Sequence, residues 1–180
     1  MYKVFLYTLV LSILAFIVWG SFFWIPLKIT LTLIALTFLP FIRNKLYNGD
    51  VLFRKGKAAL YASLLVSGFV LLLTIGSFIM DKSTDFAALW LIVFLFLILL
   101  FGSAVYGIPV SSFSDLATSH VKRYRLPLAF LIHLGFGLIS YLFLGPLVYF
   151  ALIMAVVYFL FDELLRKRET ARSLKFKSLA

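Results

Sequence analysis

A chain of 180 residues that is 64% hydrophobic and 13% charged, at mean hydropathy +1.11, has more apolar surface than a water-soluble core can bury; ordinary domains run at about 45–50% apolar and about 25% charged. The net charge of +10 does not point to nucleic acid, because the basic residues flank apolar runs instead of forming a continuous or aromatic-interleaved patch. Cysteine is absent, which removes disulfides, thiol nucleophiles and thiolate-ligated metals.

About 20 apolar residues cross a bilayer, and the apolar runs divide into six spans at 5–21, 24–42, 58–80, 86–108, 127–144 and 147–161. The opening run after Lys3 resembles a signal peptide, but the bulky stretch from Trp19 to Trp24 offers no small-residue cleavage site, so an uncleaved first span is expected. Residues 4–42 as one helix would be about 58 Å long, nearly twice the hydrocarbon thickness. The chain must turn, and Gly20, Phe22, Phe23, Trp24, Pro26 and Lys28 mark the place. Pro40 bends the end of the second span.

The 43–57 loop contains Asn48-Gly49-Asp50, a turn signal; a basic, lipid-facing turn is preferred there over a small hairpin from Tyr47 to Val51. Asp81 to Asp85 joins spans three and four, which must then be adjacent and antiparallel, with Trp90 near the outer surface and Tyr106 near the inner one. Leu126 to Phe161 is too long for one crossing, and Gly145-Pro146 divides it. A kinked single helix is the alternative. It would make five spans and put the basic tail, residues 162–180, outside.

With six spans, Lys3, Arg43, Lys45, Arg54, Lys55, Lys57, Lys122, Arg123, Arg125, Arg166, Lys167, Arg168, Arg172, Lys175 and Lys177 share one face, against Lys28 and Lys82 on the other. Short loops rich in Lys and Arg stay in the cytoplasm, so both termini are expected there. Contact with anionic inner-leaflet lipids accounts for the remaining basic charge. The expected fold is an all-α polytopic bundle forming a single integral membrane domain, 1–180.

The stretch Tyr106 to Asp115 is the most distinctive local pattern. Ile108 precedes proline and is biased away from the helical region, ending span four, and Ser112 with Asp115 resembles a capping box. Phe113, Leu116, Ala117, Val121 and Tyr124 fall at helical spacing, opposite Ser114, Asp115, Thr118, Ser119, Lys122 and Arg123. This predicts an amphipathic helix over 111–125 in the inner interface. A nucleophilic serine needs an adjacent oriented base, and His120 is the local candidate; the interfacial helix is preferred.

His133 lies within span five, and an ionisable residue at membrane depth is a functional candidate. Gly135, Gly137 and Ser140 permit close helix approach, so an interhelical hydrogen bond from a neutral imidazole is the preferred role. Proton transfer or metal binding is the alternative, although a partner ligand at helical spacing is missing. No charged residue lies near the middle of a span, and no H-E-x-x-H, G-x-S-x-G or P-loop pattern occurs. Asp162-Glu163 is expected to pair with Arg166 to Arg168 on the same helix; a divalent cation there is the lesser option.

Tyr106-Gly107-Ile108-Pro109-Val110-Ser111, with Ser114-Asp115 behind them and a histidine in the next span, resembles a family of small, uncharacterised multi-pass membrane proteins of Bacillus-type Firmicutes, over residues 105–140. The resemblance implies a bacterial cell-membrane location and carries no activity and no catalytic residues. No enzyme, metal or cofactor is expected. The preferred function is that of an accessory, immunity or assembly subunit acting through helix contacts, as a homo-oligomer or with another membrane protein. The alternatives are an oligomeric transporter or channel with a polar path at His133, Ser140 and Tyr141, and, less favoured, an intramembrane enzyme using His133 or the Ser111 to Asp115 segment.

Overall fold

The computed structural model describes residues 12–13, 15–16, 18–20, 24–37, 49–81, 86–121 and 123–177. Most of the first predicted span, the 38–48 stretch, the 82–85 connection and Lys122 lie outside them. Among the described residues the fold is helical with no strand. Helix α1 is Ile25–Thr37 and α2 is Gly49–Asp81; α3 (Phe86–Gly102) runs through a π-helical turn (Ser103–Gly107) into α4 (Ile108–Thr118). After a turn come α5 (Arg125–Ile139), the short α6 (Tyr141–Leu144), a 3₁₀ turn (Gly145–Leu147) and α7 (Val148–Lys177).

Three stretches, Gly49–Met80, Ala87–Thr118 and Gly145–Ala171, are long and apolar enough to cross a membrane; Leu27–Thr37 and Arg125–Ile139 are apolar but shorter. Their boundaries differ from the hydropathy reading in one consistent way. Residues 49–57, expected as part of a loop, are the first turns of α2, and the helix after Ile108 does not stop until Thr118. The 33 residues of α2 span about 50 Å against about 30 Å of hydrocarbon. That is about 20 Å more helix than one crossing requires.

Ile108 is in the right-handed helical region (φ −62°, ψ −49°), and its N–H donates to the Ser103 carbonyl five residues back. The expected break before Pro109 is therefore absorbed by the wider π turn, which accommodates a proline without ending the helix. The Ser112–Asp115 capping box does not form, since α4 has no side-chain cap.

The core sits between α2 and α7. Ala58, Ala59, Ala62 and Val66 pack against Met154 and Tyr158, with Leu99 and Leu100 of α3 alongside. Alanines let the two backbones approach closely, which is how helices gain packing in a medium as apolar as their own side chains. Helices α5 and α7 form an antiparallel pair: Arg125 meets Glu163, Phe130 and His133 meet Phe159, and Gly137 meets Leu152 and Ala155. The reversal is made at Gly145, whose φ of 55° suits glycine. The division of the last apolar stretch at Gly145-Pro146 is thus realised as a reversal.

At the other end, the Trp19 indole donates to Thr32 Oγ1 at 3.2 Å and Lys28 Nζ donates to the Trp19 carbonyl at 3.0 Å. These bonds tie the residues on either side of the predicted first turn.

Candidate functional site

The basic end of the bundle holds a buried charge network that draws on four helices. Lys55 of α2 is fully buried, and its ammonium donates to Ser111 Oγ at 2.5 Å, Asp115 Oδ2 at 2.7 Å and Asp162 Oδ2 at 3.0 Å. Those three bonds use all of its N–H groups. Ser111 Oγ in turn donates to Asp162 Oδ2 at 2.7 Å. Arg54 donates through Nε to Asp162 Oδ1 at 2.9 Å, through Nη2 to Asp115 Oδ2 at 3.3 Å and through Nη1 to Glu169 Oε2 at 3.4 Å. From α5, Arg125 bridges Asp115 Oδ1 at 2.9 Å and Glu163 Oε2 at 3.2 Å, and Arg166 pairs with Glu163 on α7.

Four cations (Arg54, Lys55, Arg125, Arg166) therefore face four carboxylates (Asp115, Asp162, Glu163, Glu169). A charge removed from water is costly unless paired and hydrogen-bonded, and here the balance is complete. Asp115 is the hub, in contact with α2 through Arg54 and Lys55 and with α5 through Arg125.

Directly beneath lies an apolar cavity of about 450 Å³, walled by Leu95, Leu99, Phe136 and Met154 among others. Its few polar neighbours are Ser103, Tyr106, His133, Ser140 and Tyr158. Three of these turn to backbone partners: the Tyr106 hydroxyl donates to the Phe136 carbonyl at 2.8 Å, Ser140 Oγ to the Gly137 carbonyl at 2.5 Å, and the Tyr158 hydroxyl to the Lys55 carbonyl at 3.3 Å. His133 is buried, its ring stacked on Tyr158 and tilted against Phe159. Its Nδ1 lies 2.8 Å from the Ala129 carbonyl, while Nε2 has no hydrogen-bond partner among the described residues. Because a carbonyl only accepts, Nδ1 carries the proton in that bond.

These positions revise several expectations. Among the described residues His133 bonds within its own helix and not across to a neighbour. Ser140 lines the same cavity, but Tyr141 is exposed, so the three do not make one polar path. The predicted amphipathic helix ends at Thr118, leaving Val121, Arg123 and Tyr124 in the turn that follows, where the Arg123 guanidinium lies over the Tyr124 ring. Phe113 and Leu116 do face outward, yet Ser114 and Thr118 of the expected polar face are buried instead of wet. Ser111 and Asp115 turn inward to the Lys55 ammonium and the Arg54 guanidinium, while Thr118 bonds the Ser114 carbonyl and the buried Ser112 and Ser114 hydroxyls have no hydrogen-bond partner among the described residues.

Asp162 pairs mainly with Arg54 and Lys55 across the bundle, and the expected same-helix pairing holds for Glu163 with Arg166. Among the described residues no cluster of potential metal ligands occurs. The network itself escaped the sequence reading, which assigned Arg54, Lys55 and Arg125 to loops. One signal was present: five of the seven acidic residues lie on the face named cytoplasmic by its cations, and carboxylates beside apolar runs need partners. No known protein family, curated protein or solved structure matches this chain, so the geometry described above is the guide to its function.

Proposed function

We propose that this chain is a six-span cell-membrane protein with both termini in the cytoplasm, acting without chemistry of its own as an accessory, immunity or assembly subunit through contacts between helices. The observation that carries the reading is the saturation of the charge network: each of its cations is held by a carboxylate. Groups so engaged lock helices together, and none of them is free to act as a general acid, base or nucleophile. The outer surface supports the same reading, since α3 presents Trp90, Leu91, Phe94 and Phe101 outward over its length, a face suited to lipid or to another transmembrane helix. The basic end of the bundle, read as cytoplasmic, agrees with the loop-charge asymmetry.

Two experiments test it. Reporter fusions at residues 25, 50, 83, 118, 145 and 180 should alternate sides and place residue 180 inside; an external carboxyl end sinks the six-span topology. Site-directed cross-linking from Trp90 and Phe94 in native membranes should yield one discrete product with a second membrane protein or a second copy. A small transporter or channel is the second reading, favoured by the cavity at His133. Its apolar walls are poorly suited to a hydrated path, and purified protein in liposomes should be silent in flux assays. Saturable flux without any partner would overturn the accessory reading.

A further inference from the structure

We infer that the basic end of the bundle is a docking surface for anionic phospholipid head groups, formed by the cations that the buried network leaves over. These are Lys57 of α2, Arg123 of the turn after α4, and Lys167 and Arg168 of α7. The inference rests on the chain lying in a membrane, and on neither its partner nor its sidedness. Among the described residues this end carries the carboxylates Asp50, Asp115, Asp162, Glu163 and Glu169. The network engages all of them but Asp50, using Arg54, Lys55, Arg125 and Arg166. The four remaining cations are exposed, and among the described residues none lies within salt-bridge distance of a carboxylate. The four that the sequence would have given to lipid along with them are thus spent inside the protein.

Asp115 fixes the level of the surface along the bundle. Lys55 and Arg125 both bond it, and Arg166 reaches it at 3.8 Å. Lys57 is two residues from Lys55, about 3 Å of helix rise; Arg123 is two residues from Arg125, and Lys167 and Arg168 follow Arg166 directly. The free cations therefore share one depth, as a plane of phosphates requires.

The occupant is indicated by what accompanies the charge. Lys57 Nζ lies 4.2 Å from the Phe53 ring centroid and the Arg123 guanidinium 5.6 Å from that of Tyr124. Both rings are exposed, at 67% and 60%. Where head groups meet acyl chains, the ring rests on apolar glycerol and upper tail while the cation reaches phosphate. An acidic peptide or free phosphate would match the charge and leave Phe53 in water.

The test is native mass spectrometry of the full-length chain with equimolar phosphatidylglycerol and phosphatidylcholine of the same acyl chains. Attraction to an anionic head is worth about fivefold per Lys or Arg near the surface, so phosphatidylglycerol should be retained about 25-fold better on account of the two ring-bearing cations alone. Lys57→Gln and Arg123→Gln should each lower that preference about fivefold, and high ionic strength should shrink it. Lys82→Gln, just past the opposite end of α2, should leave it unchanged. Equal retention of the two lipids by the unaltered chain would overturn the inference, whether or not the variants fold. A preference that survives Lys57→Gln with Arg123→Gln at unchanged melting temperature, or that Lys82→Gln lowers equally, would overturn the site. Displacement of phosphatidylglycerol by inorganic phosphate or polyglutamate, beyond that by chloride at equal ionic strength, would overturn the lipid as occupant.

Discussion

One turn of α7 separates Asp162 from Tyr158, and across that turn the molecule changes character. On the Asp162 side, polar groups from four helices are matched almost one for one, and even a lysine with no solvent contact is satisfied. On the Tyr158 side, an apolar cavity is bordered by a buried imidazole whose Nε2 has no hydrogen-bond partner among the described residues. The two regions share α4, α5 and α7, so the difference is not one of scaffold alone. It teaches where free energy is stored. The network holds the bundle together at its basic end, and the cavity leaves the helices with fewer mutual contacts.

The comparison breaks most sharply at Lys55. Lys55→Met removes the ammonium that Asp115, Asp162 and Ser111 share, leaving buried carboxylate under-compensated, and should cost about 3–5 kcal/mol. Thermal unfolding in detergent measures it. Combining it with Asp162→Asn should cost less than the sum of the two singles by about 0.5–3 kcal/mol; strict additivity would mean that the network is not a unit. Next comes Gly137→Val, which probes the α5–α7 contact bordering the cavity. A Cβ at Gly137 would lie 3.2 Å from Leu152 Cδ2 and 3.3 Å from Ala155 Cβ, so the branched side chain should destabilise by about 1–3 kcal/mol, with Gly137→Ala milder.

Ser111→Ala leaves one N–H of a buried ammonium without its acceptor and should cost about 1–2 kcal/mol, visible as a lower melting temperature with unchanged oligomeric state. The smallest effect belongs to the cavity: His133→Leu gives up one bond to a carbonyl in its own helix, and hydrogen bonds between membrane helices average about 0.6 kcal/mol. His133→Gln should behave similarly. A His133 loss as large as that at Lys55 would erase the distinction between the two regions.

Much of this architecture was readable in the residues, and the parts that were not share a physical cause. Apolar length places helix over the described part of 24–42 and over 58–80 and 86–108, although α2 begins at Gly49 and the helix after Phe86 runs on to Thr118, and Gly145-Pro146 announces a reversal without reference to any partner. Hydropathy, however, measures transfer to lipid. It ends a helix where charge begins, although Arg54 and Lys55 continue α2 in the same conformation. The Arg54–Asp162 bond joins residues 108 positions apart, and no local periodicity encodes such a pairing. Ser112 with Asp115 fits the local rule for a cap, but Asp115 meets three stronger donors in Arg54, Lys55 and Arg125, and tertiary charge wins over local geometry. His133 was singled out by its depth alone; which nitrogen was committed could only be seen once Ala129 was placed beneath it.

The π turn at Ser103–Gly107 has a consequence for angular phase. An α-helix advances about 100° per residue, and a π turn holds one residue more than the α-helical turn it replaces. Everything downstream in α4 is therefore rotated by about 100° relative to a continuous α-helix carrying the same sequence. Ser111 and Asp115 reach Lys55 with that rotation in place. Straightening the turn into α-helix with the sequence unchanged would swing them about 100° away from the ammonium, whereas deleting one residue between Ser103 and Gly107 would remove the bulge and leave Ser111 and Asp115 in phase. The bulge works as a clocking device for the helix, and a one-residue deletion within it should leave the charged end of the bundle fastened.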